Sequence, residues 1–348
     1  VKTVKRVKKA IISLSRSRPV LTLASRAGLL TRLYYALVWP AFGREETATL
    51  RGILSYRNEL VDRGGNRYLL RRNIHRLEKG ILMRPRKEVF GLSYIAETLR
   101  CYREFTEEPG RLTTDESRWV YDVLESYFDI VGSHPIVDEA EEEFSTLPPP
   151  AQHRARRLVP HPRSSGPSPV TYNALLDLSH RRRSVRWYRA KPVPRALIDK
   201  AITVAALSPS ACNRQPFEFL VFDEPEAVRA VTDLILGADG FSHNVPVIVA
   251  LVGSLRAYFD ERDRHLIYID ASIAAMSFMY ALETLGLGSC PLNWPDMRRT
   301  ESKMTRLLDL ESHERVIMLI ALGYPDPDGL VAQSQKKPLS QLRRYNPL

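Results

Sequence analysis

Six cationic side chains crowd into the thirteen residues RRRSVRWYRAKPV (181–193), with Ser184 among them. Arg182, Arg183, Ser184 and Arg186 make a compact array of charge-assisted donors. Such an array suits a phosphate, because a guanidinium binds it bidentately; a solvated basic helix end is the plainer alternative. A second stretch, LSPSACNRQPFEF (207–219), follows a helix that Pro209 ends. Its Ser210, Asn213 and Gln215 are short polar groups on a tight loop, suited to hydrogen-bonding a planar heterocycle, and an ordinary turn has the same composition. In LETLGLGSCPLNWPD (282–296), Gly286 and Gly288 end a long helix and permit close backbone approach. This GxG lacks the third glycine and the preceding strand of a dinucleotide-binding fingerprint. Finally, LIALGYPDPDG and QSQKKPLSQL (319–342) carry a buried strand into a Gly-Tyr-Pro turn and then a basic pair before proline.

Taken together, the order and spacing of these stretches resemble the nitroreductase family of flavin enzymes, over roughly 172–345. The resemblance implies a sheet flanked by helices, an intertwined homodimer and one FMN in each of two interface sites. It places Arg182 and Ser184 at the phosphate and ribityl chain, with Arg183 among the cofactor-binding residues. Arg186 then faces the pyrimidine edge, where a cation stabilises the reduced anionic ring. Pro209, Ser210 and Asn213 reach the flavin from the partner subunit. Backbone groups around Leu292, Asn293 and Trp294 lie near flavin N5, and Lys337 with Gln335 completes the phosphate site. Lys336-Lys337-Pro338 stands where relatives often carry Arg-Lys-Pro, which keeps the charge and loses the fork geometry. The expected cycle is hydride transfer from NADH or NADPH to FMN N5, then reduction of a specialised small-molecule substrate. The family needs no protein nucleophile, so no catalytic acid or base is expected.

The elements that must hold these residues are legible as an α+β pattern. Helical periodicity covers 170–180, 194–208 and 270–288, and apolar runs at 217–222, 245–253 and 315–323 read as strands. Before them, 45–146 reads as an all-helical module, with helices over 89–105 and 117–131 and an acidic solvated stretch over 137–144. The Pro-, Ser- and Arg-rich segment 147–169 reads as a linker, and 170–348 as the FMN-binding domain. Within the module, RRNIHRLEKGILMRPRK (71–87) offers Arg71, Arg72, His75, Lys79, Arg84 and Arg86 as a site for an anionic substrate over the flavin, with Arg72, His75 and Lys79 at its centre. His75 and Glu78 also share a helix face, which reads as a salt-bridged surface. A metal there lacks a third ligand.

The chain has 348 residues, 44% of them hydrophobic and 26% charged, as in ordinary globular proteins. Its net charge of +11 is local: residues 1–44 carry ten Lys or Arg and no acid, so the remainder sums to about +1. A nearly neutral body argues against nucleic-acid binding. Three scattered cysteines define no disulfide framework and no zinc site, and a cytoplasmic, reducing compartment is expected. The basic tail ends in the uncharged LYYALVWPAF (33–42), too short to span a bilayer. It is an arm packed on the body, a peripheral membrane contact, or a targeting segment. A flavin-binding sensor or membrane-associated scaffold without turnover is the alternative to an enzyme.

Overall fold

The structure, a computed structural model, describes residues 13–108, 110–150 and 157–347. Lys2, Lys5, Arg6, Lys8 and Lys9 of the basic tail lie outside the described residues. Strands Phe217–Phe222 (β1), Val247–Ser254 (β2), Gly288–Asn293 (β3) and Glu314–Gly323 (β4) form one antiparallel sheet in the order β1-β2-β4-β3. Both faces of this sheet are covered, which explains why β2 and β4 read as continuous apolar runs instead of alternating ones. In β2, Val247, Val249 and Leu251 enter one apolar layer, and Ile248, Ala250 and Val252 the other. The β2–β4 register slips at Leu251/Val252, a bulge that lets Ile317 and Met318 of β4 both serve the first layer.

Helix Leu266–Thr284 lies in that first layer, against helix Arg195–Ala206. Its buried Ala271, Ala274 and Ala275 have no side chain long enough to hold the neighbours apart. The chain leaves the helix through Gly286, at φ 76°, while the Leu287 N–H donates to the Leu282 carbonyl at 2.9 Å. Only glycine adopts that left-handed turn without strain. Gly288 does not end the helix, contrary to the sequence reading; it opens β3, a strand too short and too Pro- and Gly-rich to be legible by pattern.

The N-terminal part is helical and has its own apolar core, built by Gly43–Asp62, Arg67–Leu82, Ile95–Glu107, Thr114–Phe128 and Pro135–Ser145. Leu70, Ile74, Leu99, Tyr102, Leu124 and Tyr127 are fully buried there. Helix Gly43–Asp62 joins the two cores, with Ala48 in the sheet-side layer and Tyr56 in the helical one. A Cβ on Gly52 would sit 2.7 Å from the Leu255 carbonyl oxygen, so only glycine lets this helix lie against the segment after β2. Two expectations are corrected. The helix expected over 89–105 starts at Ile95, because Gly91 turns the chain at φ 82°. The stretch 137–144, expected to be solvated, belongs to a helix whose Val137, Ala140 and Phe144 form one buried face. Residues 157–171 have no regular structure, and the Leu158 N–H is tied to Asp122 Oδ2 at 2.8 Å.

Candidate functional site

The basic stretch begins where helix Tyr172–Arg181 stops, with Arg182 as its C-cap. From there it lies along β3: the Val185 N–H donates to the Ser289 carbonyl at 3.0 Å, and Ser184 pairs with Ser289 as a parallel bridge. A Cβ on Gly288 would meet Val185 Cγ2 at 2.8 Å and Pro325 Cγ at 2.9 Å. Glycine at 288 is therefore what lets the arm and the sheet touch. Tyr188 clamps the far end, donating from its hydroxyl to the Val185 carbonyl at 2.7 Å. Arg182, Ser184 and Arg186 then surround the buried Cys290. Burial raises that thiol's pKa, against the opposing pull of Arg186, the Ser184 hydroxyl and Arg182. Arg182 Nε is buried and has no hydrogen-bond partner among the described residues. Arg183 donates from Nη1 to the Gln333 carbonyl at 3.2 Å, bringing the C-terminal segment beside the arm. Gln335 and Lys337 lie exposed on that segment.

The second group is a strained loop. Cys212, Asn213 and Gln215 all hold positive φ, at 54°, 52° and 50°. Each costs about 1–2 kcal/mol for a residue with a Cβ, so the surroundings must enforce the shape. Asp270 Oδ2 accepts from the Ala211 N–H at 3.0 Å, and Ser210 Oγ accepts from the Gln215 N–H at 3.1 Å. Gln215 Nε2 donates to Asn213 Oδ1 at 3.2 Å, and Arg71 Nε donates to the Asn213 carbonyl at 2.8 Å. Burial raises the pKa of Asp270. Sequence reading missed Asp270, although a lone carboxylate inside the apolar run LIYIDASIAAM is a signal that some donor must meet it.

One helix positions both groups. Asp270, near its start, and Ser277, past its middle, hold the loop, the latter through Ser208 Oγ at 2.9 Å. Near its end, Tyr280 meets Ser179 Oγ at 2.8 Å and Glu283 accepts from Arg181 Nε at 2.7 Å. Asp270 and Glu283 are separated by about 20 Å of helix axis. Ala211 of the loop and Arg181, next to the arm, are thus held near different ends of this helix. Leu292 is half-buried and Asn293 exposed at the end of β3, followed by buried Trp294, whose Nε1 donates to Glu301 Oε2 at 2.7 Å.

The helical module abuts the loop through helix Arg67–Leu82. Glu116 accepts from Arg67 Nε at 3.0 Å and from Arg71 Nη1 at 2.8 Å. Burial alone would raise the Glu116 pKa, but Arg67 and Arg71 together with the Thr113 cap hold it below the usual carboxylate value. Of the cations expected at an anion site, Arg71 lines a cleft, while Arg84 and Arg86 are exposed. Arg72 stacks over Phe259 at 5.0 Å, His75 Nδ1 pairs with Glu78 Oε2 at 3.0 Å, and Lys79 is exposed. Arginines from several segments gather beside Arg71 instead. A cleft of about 550 Å³ between the module and β1 is lined by Arg63, Arg67, Arg71, Arg111, Arg214 and Arg256 against four glutamates, and by Gln215 of the strained loop. No cluster with metal-ligand composition occurs among the described residues.

An α+β sheet with a guanidinium arm laced to its edge strand is the class this geometry defines. A sequence model described as the nitroreductase family matches residues 180–239 and 234–324. An NADH dehydrogenase of Thermus thermophilus is 30% identical over 193 residues, 47% of this chain and 91% of that one. The chain belongs to the nitroreductase family. Human iodotyrosine deiodinase 1 is 24% identical over 197 residues, 48% of this chain and 66% of that one. Among solved structures, an FMN-dependent nitroreductase of Clostridium difficile matches 50% of this chain and 99% of its own length, at 24% identity and a TM-score of 0.42.

Proposed function

We propose that the protein is an FMN-dependent oxidoreductase that acts as a homodimer on a small anionic substrate, with NADH or NADPH as electron donor. The observation that carries this is the arm: in a nitroreductase family member, half-buried Arg182 has a buried Nε with no partner among the described residues, and beside it lie Arg186 and Ser184, which is bridged to β3. An unpaired buried guanidinium nitrogen is costly, and a bound phosphate satisfies it. Arg182, Arg183 and Ser184 would hold the phosphate and ribityl chain, with Gln335 and Lys337 of the C-terminal segment closing over it. Arg186, exposed beside them, would place its charge at the pyrimidine edge. Bound there, FMN supplies a hydride carrier between the nicotinamide donor and a second substrate. Leu292 and Asn293 would offer backbone groups to the ring, and Pro209, Ser210 and Asn213 would reach it from a second copy.

Two features support the second copy. Ala211 of the loop is held by Asp270 and Arg181, next to the arm, by Glu283, about 20 Å apart along helix Leu266–Thr284, so each copy would present complementary halves of a site. Apolar side chains are also left exposed on the helices that carry them, among them Leu207 at 83% and Ile269 at 51%, and Leu330 of the C-terminal segment at 90%. Residues 45–146 act as a substrate module, and the arginine-rich cleft beside Gln215 favours an anionic substrate.

An absorption spectrum of the purified protein, followed by anaerobic addition of NADH or NADPH, tests this reading. Flavin absorbance that bleaches with either nucleotide is expected. A colourless protein that FMN cannot reconstitute would sink the cofactor assignment, and bound flavin that neither nucleotide reduces would remove the donor.

A further inference from the structure

The segment before residue 45 takes no part in the flavin reading, yet it is built to a pattern. Helices Arg18–Ala24 and Gly28–Leu33 continue into a wider turn over Tyr34–Val38. Tyr34 is the inward side chain, buried, with its hydroxyl donating to the Ser15 carbonyl at 3.1 Å. Around it, Leu29, Leu33 and Leu37 repeat at helical spacing as an exposed stripe, with Leu29 at 68% and Leu37 at 77%, and Leu30 beside them is exposed too. Leu21 and Leu23 of the preceding helix are exposed as well. Arg26 and Arg32 flank the stripe and are exposed, and no acidic residue occurs before Glu45. Trp39 lies under Arg16 at 3.9 Å. Arg44 then fixes the segment to the body, donating from Nε to Asp296 Oδ1 at 3.1 Å, on the loop that follows β3.

Leucines facing water, cations beside them and aromatic residues at the margin are the composition of a helix that lies in a lipid headgroup layer. A protein partner would satisfy the leucines, but the five arginines spread over 16–44 with no acid among them favour an anionic lipid surface. We propose that the Gly28–Val38 stripe, with Arg26 and Arg32 at its edge, docks this protein on the surface of an anionic membrane. The leucines enter the acyl boundary, and the guanidinium groups stay at headgroup level. Asp296, which pairs with both Arg44 and Arg315, ties this docking segment to the end of β3.

Flotation of the full chain with vesicles tests the proposal without reference to flavin. Vesicles of phosphatidylcholine with about 30% phosphatidylserine should bind it about tenfold more tightly than phosphatidylcholine alone, and salt should weaken that binding. The variant L29S/L33S/L37S should lose about tenfold or more of the binding while keeping its far-UV spectrum and melting temperature. R26Q/R32Q should lose about tenfold of the binding to the phosphatidylserine vesicles, while the remaining cations of 1–44 keep a residual preference for them. No flotation with anionic vesicles, or equal flotation of the leucine variant, overturns the proposal. So does a large assembly, in the absence of lipid, that the leucine variant disperses, since that outcome makes the stripe a protein interface.

Discussion

Arg71 and Asn213 are 142 residues apart in the chain, and Arg71 Nε donates to the Asn213 carbonyl at 2.8 Å. The same guanidinium is held by Glu116, which also caps helix Thr114–Phe128 through Thr113. The helical module is thereby wired to the strained loop by one side chain, and both can be perturbed together.

Arg71→Ala should therefore release the loop. Loss of this nearly buried pair costs roughly 1–3 kcal/mol, and FMN affinity should fall severalfold while the far-UV spectrum is kept. Arg71→Lys retains charge but cannot serve Glu116 and Asn213 with separate nitrogens in fixed geometry, so it should be intermediate. Fluorescence titration with FMN measures both.

Gly288→Ala puts a Cβ against Val185 and Pro325, neither of which is a flexible chain end. Overpacking of this kind costs about 1–3 kcal/mol. The melting temperature should drop and FMN binding weaken, because Ser184 and Arg186 ride on the displaced segment. Gly240→Ala, with nothing within 4 Å of the added Cβ, is the control and should leave both unchanged.

Arg182→Gln removes the guanidinium assigned to phosphate. FMN affinity should fall about tenfold or more, while riboflavin, which lacks the phosphate, should bind as it does to the parent protein. Equal losses for both ligands would place Arg182 elsewhere on the flavin.

Mixing Arg182→Gln with Asn213→Ala chains tests the shared site. If each site takes its arm from one copy and its loop from the other, mixed dimers regain one intact site, and activity should rise above that of either variant alone. Activity that stays additive would place both groups in one copy's site.

His313 is buried at 6% exposure, its Nδ1 has no hydrogen-bond partner among the described residues, and burial, then Arg256, lowers its pKa from the ordinary 6.5. A lowered folded pKa means the unfolded chain takes up the proton first. Stability from this group is complete above about pH 6.5 and declines as pH falls toward the folded value. His313→Gln should flatten that slope by about 2–4 °C of melting temperature between neutral and mildly acid pH. Thermal melts across that range read it directly.

Much of the chemistry is written locally. The arm at 182–186 and the loop after Pro209 carry their residue types within short stretches, and β1, β2 and β4 declare themselves as apolar runs between turns. Phosphate recognition needs clustered guanidinium and hydroxyl groups, and a six- to ten-residue stretch states these by itself. The α+β class follows from the same local periods of 3.6 and 2. What the chain could not declare are the encounters between distant stretches. Only the fold shows that Asp270 holds Ala211, that Gly288 exists to admit Val185, and that Arg71 reaches Asn213. The cations at Arg72, His75 and Lys79, equally basic on paper, are turned to Phe259, Glu78 and solvent, while the next face of the same helix lines the cleft. A helix distributes neighbouring residues about 100° apart, so which arginine meets the site is decided by the packing of that helix against the body, a sum of long-range contacts that no short stretch encodes.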